Sequence, residues 1–132
     1  MAKVLIIEDN AANMTLATFL LESAGHSVIN ATDAEAGLTL ARDEQPQLIL
    51  MDIQLPGMDG LEATRLLKHE GATRDIPVIA LTALAMKGDE ERIRAAGCDG
   101  YIAKPLAYKE FLAIVSARLE IPSTAGNLSR EP

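Results

Sequence analysis

The sequence predicts an α/β fold: a doubly wound parallel sheet with right-handed crossovers. Two observations predict it. Five short apolar runs of strand length alternate with five segments of helical periodicity. The middle run, Leu48-Ile49-Leu50-Met51, is apolar throughout rather than alternating, and turn residues bound it. That pattern suits a strand buried on both faces.

The first run, Lys3 to Ile7 (KVLII), is rich in β-branched residues and ends at Glu8-Asp9. Asn10 offers a cap for a helix over about Ala11 to Ala24, stopped by Gly25. Met14, Ala17, Leu20, Leu21 and Ala24 share one face of it, and Leu16 and Phe19 widen that face beyond what core packing requires. Ser27 to Ala31 reads as a second strand. Thr32 or Asp33 caps a helix to about Asp43, with Ala36, Leu40 and Leu38 inward, and Pro46 blocks its continuation. After the Leu48 strand, Pro56, Gly57 and Gly60 force a turn. Asp59 caps a third helix over about Leu61 to Glu70, whose apolar positions are Leu61, Leu66 and Leu67. Gly71 to Asp75 is a polar link.

Pro77 to Leu81 is the fourth strand, with Thr82 at its tip. The fourth helix, about Met86 to Ala96, has few large apolar residues, chiefly Met86 and Ile93, and carries Gly88. A helix with so little to bury is expected to be the least firmly held. Gly97 is placed to end it. Asp99 to Ala103 is the fifth strand, followed by Lys104-Pro105. The last helix, about Tyr108 to Leu119, packs Phe111, Leu112 and Val115. We expect the flavodoxin-like strand order 2-1-3-4-5, taken over as a rule of such sheets, with strands one and three adjacent at the switch point. Residues 1–120 form one domain, and the polar tail 121–132 is expected to be disordered.

Composition narrows the function. At 132 residues the chain fits one domain. A net charge of -7 argues against nucleic-acid binding. No stretch approaches the roughly 18 apolar residues of a membrane span, and Met1-Ala2-Lys3 opens no secretory signal. Cys98 is the one cysteine, so no internal disulfide forms and a cytoplasmic location is expected. His26 and His69 are expected to be solvated surface residues, Cys98 a small buried filler, and Tyr108 a surface residue.

The polar strand tips gather on one edge of the sheet: Glu8 and Asp9, Asp52, Thr82 and Lys104. Alone, an aspartate after a strand fits a helix cap or a turn. Five such groups on one edge are hard to explain as capping. Unit charges about 4 Å apart repel by about 4 kcal/mol at an effective dielectric of 20. Three carboxylates in one crevice therefore hold protons longer or hold a cation. Oxygen ligands without histidine or cysteine favour Mg²⁺ over zinc. Asp52 is then the candidate nucleophile for a phosphoryl group, with Lys104 and Thr82 as partners for its oxygens.

On these residues the chain resembles the receiver domains of two-component response regulators, from Lys3 to about Leu119. Glu8-Asp9 matches the acidic pair and Asp52 in MDIQLPGMDG the phosphoacceptor. Thr82 in ALTA matches the switch hydroxyl, and Lys104-Pro105 the lysine motif. The segment AMKGDEERIRAAGCDGYIAKP is similar to stand-alone receivers of the DivK type and to receivers of hybrid kinases. The resemblance implies a phosphorelay protein whose Asp52 takes a phosphoryl group from a histidine kinase or histidine phosphotransfer protein. It implies Mg²⁺ (with Mn²⁺ as substitute) on Asp9, Asp52 and the Gln54 carbonyl, with Glu8 acting through water. It further implies that Thr82 and the Ala83 N–H meet the phosphoryl oxygens, that Tyr101 is the switch aromatic, and that Lys104–Pro105 is cis. Gln54 and Leu84 would tune phosphoryl lifetime, and apolar Leu84 implies slow self-dephosphorylation. Such a protein is no enzyme in the ordinary sense, although it assists its own phosphorylation and dephosphorylation.

Output is expected through helix four, strand five and helix five to a downstream protein, from a monomer or weak dimer without membrane insertion. The wide apolar face of the first helix is either a docking strip for a helical histidine-bearing bundle or packing against its neighbours. Other readings fit less well. A phosphatase with an aspartate nucleophile wants a second aspartate where Gln54 stands. A nucleotide- or flavin-binding domain wants a glycine-rich turn where Glu8-Asp9-Asn10 stand. A phosphorylation-independent adaptor needs no intact acidic site. A receiver excised from a hybrid kinase is the remaining alternative, although Met1 and the polar tail favour a free-standing chain.

Overall fold

The computed structural model describes residues 2–83 and 87–120. Strands β1 (Lys3–Ile7), β2 (Ser27–Ala31), β3 (Leu48–Asp52), β4 (Val78–Thr82) and β5 (Gly100–Ala103) form one parallel sheet in the order β2-β1-β3-β4-β5. Helices α1 (Ala11–Ser23), α2 (Ala34–Glu44), α3 (Gly60–His69), α4 (Lys87–Ala95) and α5 (Tyr108–Glu120) connect and follow them. This is the flavodoxin-like doubly wound arrangement.

Strand side chains point alternately to opposite faces, and the core divides accordingly. Leu5, Ile7, Ile49 and Met51 pack with residues of α2, α3 and α4. Val4, Ile6, Leu48 and Leu50 pack with Ala17, Leu20 and Leu21 of α1 and with Phe111 and Val115 of α5. Both faces being covered, β3 and β4 are buried at every position. That is why Leu48–Met51 shows no alternation in sequence.

Helix starts follow the capping rule. The side chains of Asn10, Asp33 and Asp59 accept from the N–H groups of Asn13, Ala36 and Glu62 at 2.9, 2.8 and 2.8 Å. Gly25 and Gly97, at φ 94° and 106°, end α1 and α4. Gln45 ends α2 at φ 48°, and its side-chain amide donates to the carbonyls of Ala41, Arg42 and Ala72.

Several packing expectations are corrected. Ala36 faces solvent, and α2 buries Ala34, Gly37, Leu38 and Ala41, with Leu40 half-buried. Small residues set this face because α2 lies so close to β1 that a Cβ on Gly37 would come within 2.7 Å of Ile7 Cγ1. Leu66 is exposed, and Ala63 and Thr64 take the inward positions of α3 beside Leu61 and Leu67. Met14 packs against the α1/α5 side of the core, but among the described residues Leu16 and Phe19 lie outside the packed core clusters and stay exposed. His26 is half-buried, with Nδ1 accepting from the Ala2 N–H at 3.2 Å, while His69 is exposed. Burial holds the His26 ring below its usual pKa. Cys98 is buried against Thr64 as a filler, and Tyr108 is exposed. Met86, Leu84 and the tail 121–132 lie outside the described residues.

Gly60 fixes how α3 meets the tip of β3. Its N–H donates to the Ile53 carbonyl at 3.2 Å. A Cβ there would collide with the Asp52 carbonyl oxygen and lie 2.7 Å from Ile53 Cα. The obstruction is backbone, which has little room to move aside. Gly60→Ala should therefore destabilise the fold by at least about 1–3 kcal/mol. The check is the urea unfolding midpoint; an unchanged midpoint would mean that α3 can shift without loss.

Candidate functional site

The site lies beyond the carboxyl ends of the strands, where β1 and β3 are neighbours and their connections leave to opposite faces. The register pairs Ile7 with Met51, so the residues that follow, Glu8 and Asp52, emerge side by side. Thr82 and Ala103 are paired at the ends of β4 and β5, and the Lys104 N–H donates to the Thr82 carbonyl at 2.8 Å. An open cleft at this edge is walled by Glu8, Asp9, Asp52, Gln54, Ala83 and Lys104, joined by Asn10, Ala11 and Asn13 from the start of α1. Thr82 is fully buried at the β4 tip and forms no wall of the open cleft. Tyr101 is also apart from it, half-buried against the core side that holds α2, α3 and α4. The Lys104–Pro105 bond is cis.

Glu8 and Asp52 are only 1 % and 3 % exposed. Glu8 Oε2 accepts from the Asn10 N–H at 3.1 Å, and Asp52 Oδ1 accepts from the Gln54 N–H at 3.0 Å. The second oxygens both face Lys104, whose Nζ lies 2.9 Å from Glu8 Oε1 and 3.3 Å from Asp52 Oδ2. The contact with Glu8 is ionic but not aligned as a hydrogen bond, so among the described residues Oε1 is buried without one. Burial pushes the Asp52 carboxyl above the ordinary carboxylate value, and neighbouring Glu8 adds to this. The Gln54 N–H and the Lys104 charge oppose the shift without cancelling it.

Lys104 faces two carboxylates, Glu8 and Asp52, and Asp9 adds a third beside them. Glu8, Asp9 and Asp52 each bring a carboxylate oxygen to within 4.8 Å of the others, the sole such group among the described residues. The set is all oxygen, it is under-neutralised, and it contains a buried acceptor that no described residue meets by a hydrogen bond. It therefore fits a hard divalent cation such as Mg²⁺, which uses few carboxylates and keeps several waters. Asp9 is the exposed member, so the cation would be reached from solvent.

Sequence reasoning treated Asn10 as a cap alone and passed over Asn13. The signal was available. A helix that starts directly after Glu8-Asp9 brings its first turn back over the strand tips, because residues three and four apart share a face.

The comparisons agree with this geometry. Residues 4–116 match the response regulator receiver domain family. The polar-differentiation response regulator DivK of Brucella anthropi is 50% identical over 116 residues, which cover 88% of this chain and 94% of that protein. The receiver domain of the sensor histidine kinase PA1611 from Pseudomonas aeruginosa, solved with a magnesium ion in its active-site cleft, superposes with a TM-score of 0.85. It is 35% identical, over 91% of this chain and 98% of that one. A putative response regulator from Chloroflexus aurantiacus superposes with a TM-score of 0.87 at 26% identity, over the same shares of the two chains. Fold, acidic cleft and sequence thus converge, and the chain belongs to the response regulator receiver domain family.

Proposed function

We propose that this receiver accepts a phosphoryl group on Asp52 from a phosphohistidine, and that the phosphorylated form changes which protein it binds. The observation that carries the reading is the setting of Asp52: a buried carboxylate at the floor of an acidic cleft, oriented by the Gln54 N–H and faced by Lys104. An Asp52 oxygen attacks phosphorus and the phosphorus–nitrogen bond to the donor imidazole breaks; the imidazole, carrying a proton taken from water on its other ring nitrogen, leaves neutral. Buried groups that are positioned beforehand stabilise the charge of transfer without reorganising.

Asp9, Asp52 and the Gln54 carbonyl would hold Mg²⁺, with Glu8 acting through water. Mn²⁺ suits the same oxygen donors. When bound, the cation offsets the carboxylate charge and polarises the phosphoryl oxygens. Lys104 gives a second positive charge at the same oxygens, and the Thr82 hydroxyl and Ala83 N–H give donors. The acyl phosphate is later hydrolysed at this site, so the protein assists its own dephosphorylation, slowly if Leu84 orients no water.

Phosphorylation replaces one carboxylate charge by about -2. Thr82 then draws toward the phosphoryl group, the Tyr101 ring turns inward, and the face of α4, β5 and α5 presents the signal to a protein target. The slender packing of α4 suits this: Ile93 is its large buried residue among those described, and its ion pairs, Arg92–Asp89 and Arg94–Glu90, are internal. The working unit is residues 1–120, as a monomer or weak dimer in a reducing compartment such as the cytoplasm. Among the described residues no helix is long and apolar enough to cross a membrane.

The donor docks on α1. Ala11, Ala12, Thr15, Leu16 and Phe19 form an apolar surface that shares Ala11 with the cleft, and Phe19 is 65% exposed. A helical histidine-bearing bundle lying on this strip would bring its imidazole to Asp52. Leu16→Glu with Phe19→Glu should slow transfer from a phosphorylated histidine protein at least roughly tenfold and leave labelling by acetyl phosphate unchanged. Equal slowing with both donors would place the defect in the site rather than in docking. The function itself is tested by intact mass after incubation with acetyl phosphate and Mg²⁺. One added phosphoryl group, absent in EDTA, is expected, and no added mass would overturn the reading.

A further inference from the structure

We propose that Asn13 is a further phosphoryl-contacting residue of this site, its carboxamide N–H₂ donating to an oxygen of the group that reaches Asp52. The inference rests on the phosphoacceptor reading above. Asn13 occupies the third helical position of α1, three residues after the cap residue Asn10. In a reciprocal capping box a Glu or Gln at that position reaches back to the N–H of the cap residue. In this chain that job is already done, because the Asn10 N–H donates to Glu8 Oε2 at 3.1 Å. Asn10 in turn caps the Asn13 N–H at 2.9 Å, which fixes the Asn13 backbone over the strand tips. The side chain is half-buried, lines the cleft with Asp9, Asp52 and Ala83, and meets no described residue by a hydrogen bond.

Chemistry selects the ligand. Glu8, Asp9 and Asp52 put only acceptors on the β1–β3 side of the cleft, and Lys104 is the cation that faces two of them. A phosphoryl group offers three further acceptor oxygens and needs donors. A carboxamide supplies two N–H bonds without a charge, from the wall that otherwise repels phosphate. A carboxylate of the same shape would supply none and would add a fourth negative charge. Asn13 is therefore placed to act once phosphate enters, and to have little effect on the empty protein.

The test compares Asn13→Ala and Asn13→Asp with wild type. The readouts are the initial rate of mass gain against acetyl phosphate concentration at saturating Mg²⁺, the affinity for beryllium fluoride as a phosphoryl mimic, Mg²⁺ affinity and the thermal midpoint. Alanine should weaken beryllium fluoride binding and raise the half-saturating acetyl phosphate concentration by roughly three- to tenfold, the effect of one neutral hydrogen bond. Mg²⁺ affinity and the midpoint should not move. Aspartate should weaken both phosphate readouts further while tightening Mg²⁺. Unchanged beryllium fluoride affinity in both variants, or equal losses in Mg²⁺ and phosphate binding, would overturn the proposal. A wild type that never gains mass would instead overturn the phosphoacceptor reading.

Discussion

Asp52→Ala protein should gain no mass from acetyl phosphate under conditions that label the wild type fully. The other carboxylates of the cleft cannot take its place. Glu8 is as buried as Asp52 but is held by the Asn10 N–H on one oxygen and faces Lys104 with the other. Asp9 is exposed and stands where the cation would be approached from solvent. Asp52 shares with Glu8 its burial, a backbone N–H on one oxygen and Lys104 beside the other, and the resemblance of its MDIQLPGMDG segment to the phosphoacceptor motif of receivers is what singles it out. Labelling of the variant at the wild-type rate would move the acceptor elsewhere.

The same residue carries a stability cost of known sign. The carboxyl of Asp52 is raised above its unfolded value of 3.8. Its favourable contribution is complete below that value and is lost as pH rises through the folded-state value. At neutral pH without Mg²⁺, Asp52 therefore opposes folding. Asp52→Asn should raise the thermal midpoint in EDTA at neutral pH, and the gap should close as pH falls toward 3.8. Mg²⁺ should stabilise the wild type and have little effect on the variant. A variant less stable than wild type at neutral pH in EDTA would show that Lys104 more than compensates the buried charge.

How far the sequence could be read depended on the kind of interaction. Strands were legible because burial on both faces demands unbroken apolar runs, as in Leu48–Met51. The strand tips were legible because parallel topology sends every carboxyl end to one edge, whatever the details of packing. Helix faces were less legible where small residues set them. Gly37, Ala34 and Ala41 give a weak apolar signal, yet α2 buries them beside Leu38, and at Gly37 its approach to Ile7 leaves no room for a side chain. Leu66 looked inward by type and faces water, with Ala63 and Thr64 in its place. The contribution of α1 to the cleft was only half legible: a helix that starts directly after Glu8-Asp9 brings its first turn over the strand tips, but no pattern of residue types announces that the Glu8 side chain turns back to the Asn10 N–H.

Lys104→Met should be the most damaging change to the metal-free protein. Methionine keeps most of the lysine stem, so the comparison isolates the charge. The ammonium is largely shielded, with 16% of the side chain exposed, and faces two carboxylates that are 1% and 4% exposed. Removing one partner of a buried ion pair usually costs about 3–5 kcal/mol, because the remaining charge is left uncompensated. Here two remain, and they also repel each other. The variant has two ways out. Asp52 can keep its proton, its carboxyl already being raised, so acidification should narrow the stability gap to wild type. Alternatively Mg²⁺ can supply the missing positive charge, so it should raise the midpoint of Lys104→Met further than that of wild type, by mass action on the folded state. Phosphorylation should remain slow even at saturating Mg²⁺, by roughly a hundredfold or more, because a preorganised charge at the phosphoryl oxygens is lost. Thermal melts in EDTA and in Mg²⁺, beside the acetyl phosphate labelling rate, separate the two roles. A variant that melts with wild type in EDTA would show that the close approach of Lys104 to Glu8 and Asp52 adds nothing to folding. Normal labelling in Mg²⁺ would remove Lys104 from the transfer step.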